Sequence, residues 1–174
     1  MRLKRGDQSA FDDLYAKYRD PIYGFLVRMT GRRALADDLF QETWLRLARS
    51  ASTLREDSNI RAWLFTVARN LVRSHARWAT MDREAVDRLA IGEQAVSTTP
   101  YHTASLTETQ LRLERALASL APKYREVVVL VAVEGLSPSE AAAVLAITPE
   151  ATRKRLSRAR KELGHVLADQ PRER

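Results

Sequence analysis

A chain of 174 residues is long enough for one ordinary domain or two small ones and too short for a large barrel enzyme. With no cysteine, it can hold no disulfide scaffold, zinc ribbon, iron–sulfur site or thiol nucleophile. Its 29 basic residues against 22 acidic ones, a net +7, point to a polyanion such as nucleic acid as partner. No apolar run approaches the roughly 18 residues of a membrane span, and the opening Met1-Arg2-Leu3-Lys4-Arg5 lacks the apolar stretch of a secretory signal. The expectation is a cytoplasmic protein without membrane insertion.

In chain order, Ser9 is placed to cap a first helix beginning at Ala10, with Phe11, Leu14, Tyr15 and Tyr18 as its apolar stripe. Pro21 is expected to start or kink a following segment over residues 22–29, and Gly31 to end it. A second helix covers roughly residues 34–48. Leu35, Leu39, Phe40, Thr43 and Leu47 point inward, and Asp38, Gln41, Glu42 and Arg46 point outward. A third covers roughly residues 60–78, with Trp63, Leu64, Val67 and Leu71 inward. Its outer face carries Arg61, Arg69, Asn70, Arg73, Ser74 and Arg77. Those donors suit phosphates and base edges. Trp63, Phe65 and Trp78 beside them are either core aromatics or stacking platforms for unpaired bases.

Charge divides the chain further. Residues 1–80 carry 15 basic and 9 acidic side chains, residues 81–110 carry 2 and 5, and residues 111–174 carry 12 and 8. Two basic blocks therefore flank an acidic connector, whose stretch 92–102 lacks apolar periodicity and reads as a flexible linker. In the second block, Pro122 suits a first helical position and Gly135 the position just past a helix end, so the apolar run 127–131 reads as helix and not strand. Ser137-Pro138-Ser139-Glu140 is a capping box opening a short Ala-rich helix. After Ala146-Ile147, Thr148-Pro149 repeats the start signal for a helix reaching about Leu167. A short helix, a tight turn and a basic second helix make a helix-turn-helix. In that second helix Thr152, Leu156, Ala159 and Leu163 face the core. Glu150, Lys154, Ser157, Arg158 and Lys161 face out, with Arg153, Arg155 and Arg160 on the flanks. A solvated charged face is the alternative to a surface for the major groove. The fold class is all-α, as two small helical domains.

No chemistry of an enzyme is legible. The sequence has no Gly-rich phosphate loop, Gly-x-Ser-x-Gly elbow or His-Glu-x-x-His pattern, and His75, His102 and His165 fall in separate segments. Asp37 and Asp38 are helical neighbours about 100° apart and cannot chelate together. No catalytic residue, metal or cofactor is expected.

The order Ala36-Asp37-Asp38-Leu39-Phe40-Gln41-Glu42-Thr43-Trp44, then Ala62-Trp63-Leu64-Phe65-Thr66-Val67-Ala68-Arg69-Asn70, resembles region 2 of extracytoplasmic-function sigma factors of the sigma-70 family. Leu120-Ala121-Pro122-Lys123-Tyr124-Arg125-Glu126, then Glu134-Gly135-Leu136-Ser137 and Arg155-Leu156-Ser157-Arg158-Ala159-Arg160-Lys161, is similar to their region 4. The resemblance implies region 2 over residues 1–80, a linker over 81–108 and region 4 over 109–170. It implies a promoter-specificity factor whose partners are bacterial core RNA polymerase, promoter DNA (duplex at −35, melted at −10) and an anti-sigma factor. Core binding would fall on Asp38, Gln41 and Glu42. Recognition of −10 would fall on Ser58, Asn59, Arg61, Arg69, Asn70, Arg73, Ser74 and Arg77. Recognition of −35 would fall on Glu150, Ala151, Arg153, Lys154, Arg155, Ser157, Arg158 and Lys161.

The chain departs from the family pattern at four places. Ala146 stands where the turn usually has Gly, Thr152 where an inward Val is common, and Glu150 where Gly is common. The loop 52–59 lacks the usual aromatic-Asp-Pro. Glu150 is expected to alter −35 preference, since a carboxylate repels phosphate but accepts from cytosine N4. A connector of about 30 residues spans on the order of 100 Å when extended, against roughly 70 Å for two turns of duplex. Two readings compete with the sigma factor: a sigma-like decoy that binds a regulator without reading DNA, and a plain helix-turn-helix repressor.

Overall fold

The computed structural model describes residues 7–55, 57–86 and 107–169; the stretch read as a linker lies mostly outside them. Seven α-helices account for the described fold, and no strand occurs among the described residues.

Three helices build the first block: α1 (Gln8–Thr30), α2 (Arg33–Ser50) and α3 (Ile60–Val86). The cap of α1 is Asp7 and not Ser9: its carboxylate accepts from the Ala10 amide at 3.4 Å. Pro21 does not divide the helix either. It lies inside α1, one residue before Ile22, and Ile22, Phe25, Leu26 and Val27 are all buried. Proline fits the helical φ and forfeits one backbone bond; burial of the apolar stretch that follows outweighs that loss, at roughly 1.5–3 kcal/mol per large side chain. Gly31 ends α1 as expected, at φ 64°, donating to the Val27 carbonyl. α3 runs past Trp78 to Val86, into the segment read as linker. The core of this block is aliphatic and aromatic, with Phe25 edge-on to Phe65 at 5.5 Å.

Four helices build the second block: α4 (Glu108–Ser119), α5 (Pro122–Val128), α6 (Pro138–Leu145) and α7 (Pro149–Asp169). α4 opens with a capping box of Thr107 and Gln110, which periodicity in the polar 107–110 stretch did not reveal. Pro122 sits in the first turn of α5, and α5 continues as a π-helical turn, Val129–Val133. Gly135 leaves it at φ 66°. Arg125 is the splice of this block: its guanidinium donates to the carbonyls of Leu117 (2.9 Å), Leu120 (3.1 Å) and Ala118, tying the end of α4 to α5. Burial holds this guanidinium below its ordinary pKa.

The helix-turn-helix forms as expected. Ser137 and Glu140 close the capping box of α6, and the Thr148 hydroxyl accepts from the Ala151 amide at 3.1 Å to start α7. Ala146 takes the turn at φ 53°, the left-handed conformation that favours glycine. Thr152 is fully buried, and its hydroxyl donates to the Thr148 carbonyl at 3.1 Å, so the inward polar atom is satisfied.

The two blocks are not held apart. Their buried side chains form one continuous cluster, from Ile22, Leu64 and Ala68 to Val127, Val144 and Leu145. α3 packs on α6, and α1 meets α4 and α5.

Candidate nucleic-acid and protein interfaces

Three surfaces carry the residues singled out by the sequence. The first lies on α2. Asp38 and Gln41 are exposed, and Glu42 is half-buried against Arg46, which donates to it at 2.8 Å. That hydrogen bond holds the Glu42 carboxyl below its ordinary range. Leu45 continues the same strip and is 49 % exposed. Behind it, Phe11, Tyr15 and Phe40 surround Trp44 edge-on or tilted, with Tyr15 at 4.8 Å. Tyr23 extends the group, and its hydroxyl donates to Asp37 at 2.5 Å. Burial first, and that bond second, raise the Tyr23 hydroxyl pKa. This aromatic ladder joins α1 to α2. Periodicity marked Phe11 and Tyr15 but missed their partner Trp44, because no single helix shows both halves.

The second surface lies on α3 and the loop before it, and the structure splits it in two. Asn70, Arg73 and Arg77 are exposed and Ser74 is half-buried, all on one helical stripe as expected. Trp78 stands beside them, 65 % exposed. Of the other aromatics, Phe65 is core and Trp63 is half-buried. The remaining residues do not face out. Arg69, expected on the outer face, is 5 % exposed; it donates to Glu126 at 3.2 Å and to the Val144 carbonyl at 3.4 Å. The reason is tertiary: the polar stripe of α3 begins where α5 and α6 cover it. Asn59 is the helix cap, its Oδ1 accepting from the Ala62 amide at 3.0 Å, and its Nδ2 donates to Glu140 at 2.9 Å. Arg61 is half-buried beside Glu134 and Glu140. Ser58 is half-buried, in a loop braced by the fork from Arg55 to Asp57 at 3.1 Å.

The third surface is the outer side of α7. Glu150, Arg153, Lys154, Ser157, Arg158 and Lys161 are exposed, and Ala151 and Arg155 are half-buried. Lys154 pairs with Glu150 one turn earlier at 2.6 Å, both largely in solvent. A groove of about 600 Å³ runs between α7 and the start of α6, with Val131, Pro138 and Leu156 as its floor and Arg153, Arg160 and Lys161 on its rim. An apolar floor with a cationic rim can admit a polyanion's backbone while the exposed first turns of α7 meet base edges.

Comparisons with known proteins converge on one family. The family models Sigma-70 region 2 and Sigma-70, region 4 match residues 14–80 and 110–163. The chain is 37 % identical over 171 residues to RNA polymerase sigma factor CarQ of Myxococcus xanthus, covering 97 % of this chain and 95 % of that protein. It is 34 % identical over 156 residues to the ECF RNA polymerase sigma factor EcfG of Rhodopseudomonas palustris, covering 90 % and 83 %. Among solved structures, it resembles the sigma factor RpoE in complex with the anti-sigma factor NepR from Bartonella quintana, with TM-score 0.76 and 26 % identity over 93 % of this chain and 99 % of that one. It also resembles CnrH in complex with the cytosolic domain of CnrY, with TM-score 0.71 and 28 % identity over 97 % and 95 %.

Proposed function

The chain belongs to the extracytoplasmic-function group of the sigma-70 family, and from that membership we propose how its three surfaces divide the work. As a member it is a promoter-recognising sigma factor, a transcription initiation factor and not an enzyme. Residues 1–80 act as region 2, residues 81–108 as the connector and residues 109–170 as region 4. The strip of Asp38, Gln41 and Glu42 on α2 docks on core RNA polymerase. The loop and α3, through Ser58, Asn59, Arg61, Arg69, Asn70, Arg73, Ser74 and Arg77, recognise the −10 element and hold its melted strand. α7 reads the −35 element: Glu150, Ala151, Arg153, Lys154 and Ser157 address bases, and Arg155, Arg158 and Lys161 address phosphates, as Lys154 also can. The protein works in the cytoplasm, where core polymerase and the chromosome are. An anti-sigma factor is a further partner, as it is for the RpoE of the solved complex.

The observation that carries this reading is the exposed basic face of α7 directly after two capped helix starts, on the same chain as an outward acidic strip on α2. Run-off transcription with purified core polymerase on candidate promoters tests it. Promoter-dependent transcripts requiring the chain are expected. A gel shift of duplex by the chain alone, with no stimulation of core, would sink it in favour of a repressor.

A further inference from the structure

The second block turns its carboxylates toward the first. All three acidic residues between 121 and 145 do so. Glu126 takes Arg69 at 3.2 Å, Glu134 lies 3.8 Å from Arg28, and Glu140 takes Asn59 at 2.9 Å. Glu114 of α4 adds a two-pronged pair with Arg28, at 2.7 Å to Nη2 and 3.1 Å to Nε. Arg125 donates to the Arg28 carbonyl at 3.2 Å. Gly24 makes room for this knot, since a Cβ there would lie 2.9 Å from Arg28 Nη1.

These pairings occupy donors that the proposed function assigns to nucleic acid. Asn59 and Arg69 each meet a carboxylate where a melted strand would bring phosphates or base edges. Carboxylate and phosphate oxygens accept from guanidinium in the same fork geometry. The arrangement is also too short for a promoter. α3 packs on α6 and α6 on α7, so with interaxial distances of 8–10 Å the two reading helices stand on the order of 20 Å apart. Elements two duplex turns apart are separated by roughly 70 Å.

We propose that region 4 closes over region 2 in the free chain as an intramolecular inhibitor, its carboxylates standing in for the −10 strand, and that promoter binding requires this closed form to open. The inference rests on the −10 role assigned to Asn59, Arg61 and Arg69. Opening leaves Arg28 and Arg69 without their carboxylates and exposes the apolar face shared by α3 and α6. A surface that pulls region 4 away must replace both.

The absence of native cysteine allows two labels to be placed without background. Spin labels at Ala48→Cys on α2 and Glu162→Cys on α7, both exposed positions, report closure by double electron–electron resonance on the full chain. The unbound wild type is expected to give one short, narrow distance that lengthens when core polymerase is added. Glu114→Lys with Glu126→Lys, which repel Arg28 and Arg69, should lengthen it without core. Gly24→Ala, which crowds Arg28 while keeping every charge and favouring helix, should shift it the same way. Affinity for an oligo-dT of about 16 nucleotides should rise about tenfold in the Lys pair over the charge-matched exposed pair Asp12→Lys, Asp13→Lys, the gain expected when roughly one molecule in ten is open at rest. Broad, long distances in the unbound wild type would overturn the closed form and leave the assigned −10 residues untouched. Opening by the Lys pair with oligo-dT affinity equal to the control would overturn the −10 role of the covered residues, and the inhibition with it.

Discussion

Ala146 is the one non-glycine residue with positive φ among the described residues, and it sits in the turn that sets α7 against α6. A Cβ in the left-handed region costs roughly 1–2 kcal/mol, part of which glycine returns through its freer unfolded chain. Ala146→Gly is expected to gain about 1 kcal/mol and raise Tm by about 2–4 °C, measured by calorimetry, with −35 recognition unchanged because the turn keeps its shape. Asp38 and Glu42 belong to a different class of residue. Neither is needed by the fold: Asp38 is exposed, and the one ion pair of Glu42 is with the exposed Arg46. Reversing both to Lys should weaken core binding at least tenfold, as loss of close charge pairs in an interface does, with helicity by circular dichroism intact. Unchanged affinity would refute the docking role.

At the scale of the element, α7 divides cleanly into a buried stripe of Thr152, Leu156 and Ala159 and an exposed basic side. Replacing Lys154 and Arg158 with Ala should reduce −35-dependent transcription and lower the salt slope of promoter binding by about 2, one for each phosphate no longer neutralised. A change in Tm alone would mark them as structural. Faces of this kind are readable from sequence because they follow the helix period, as α2 and α7 did. The start of α1 and its continuity through Pro21 were not. Asp7 competes with Ser9 for the cap, and Pro21 breaks isolated helices, but the apolar stretch after it has a neighbouring helix to pack against and so keeps the helix whole. Arg69 marks the same limit. Its spacing shows a polar stripe, and only the tertiary structure decides whether water, nucleic acid or α6 covers it.

For the whole molecule, Glu134 couples stability to pH. It is enclosed by Arg28 of α1 and Arg61 of α3, with Glu114 of α4 also paired to Arg28. Burial pushes its carboxyl up to about 7, against the opposing pull of the two arginines. The folded chain therefore holds a proton that the unfolded chain releases near its ordinary carboxylate pKa of 4.5. This contribution is complete below that value and is lost as pH rises through about 7. Glu42 and Glu140, both held below their ordinary range, act only in more acid solution, where protonating them removes stability. Between about pH 5 and 8 the wild-type Tm should fall more steeply than that of Glu134→Gln, which keeps the uncharged shape; equal slopes would remove Glu134 as the cause. The two-block plan and its acidic connector were legible in the charge distribution. The shared core was not, because it depends on which apolar faces of separate blocks find each other.

The π-helical turn Val129–Val133 sets the register of everything after it. Glu134 donates its amide to the Val129 carbonyl at 2.8 Å, five residues back, so the turn holds one residue more than an α-helix would. Removing one residue, such as the exposed Ala132, would rotate the segment that follows by about 100° and swing Glu134 away from Arg28 and Arg61. Relatives differing by one residue here would thus differ in acid response and in the grip between their halves, with every charged side chain retained. A change of chain length is the smallest edit that retunes this protein.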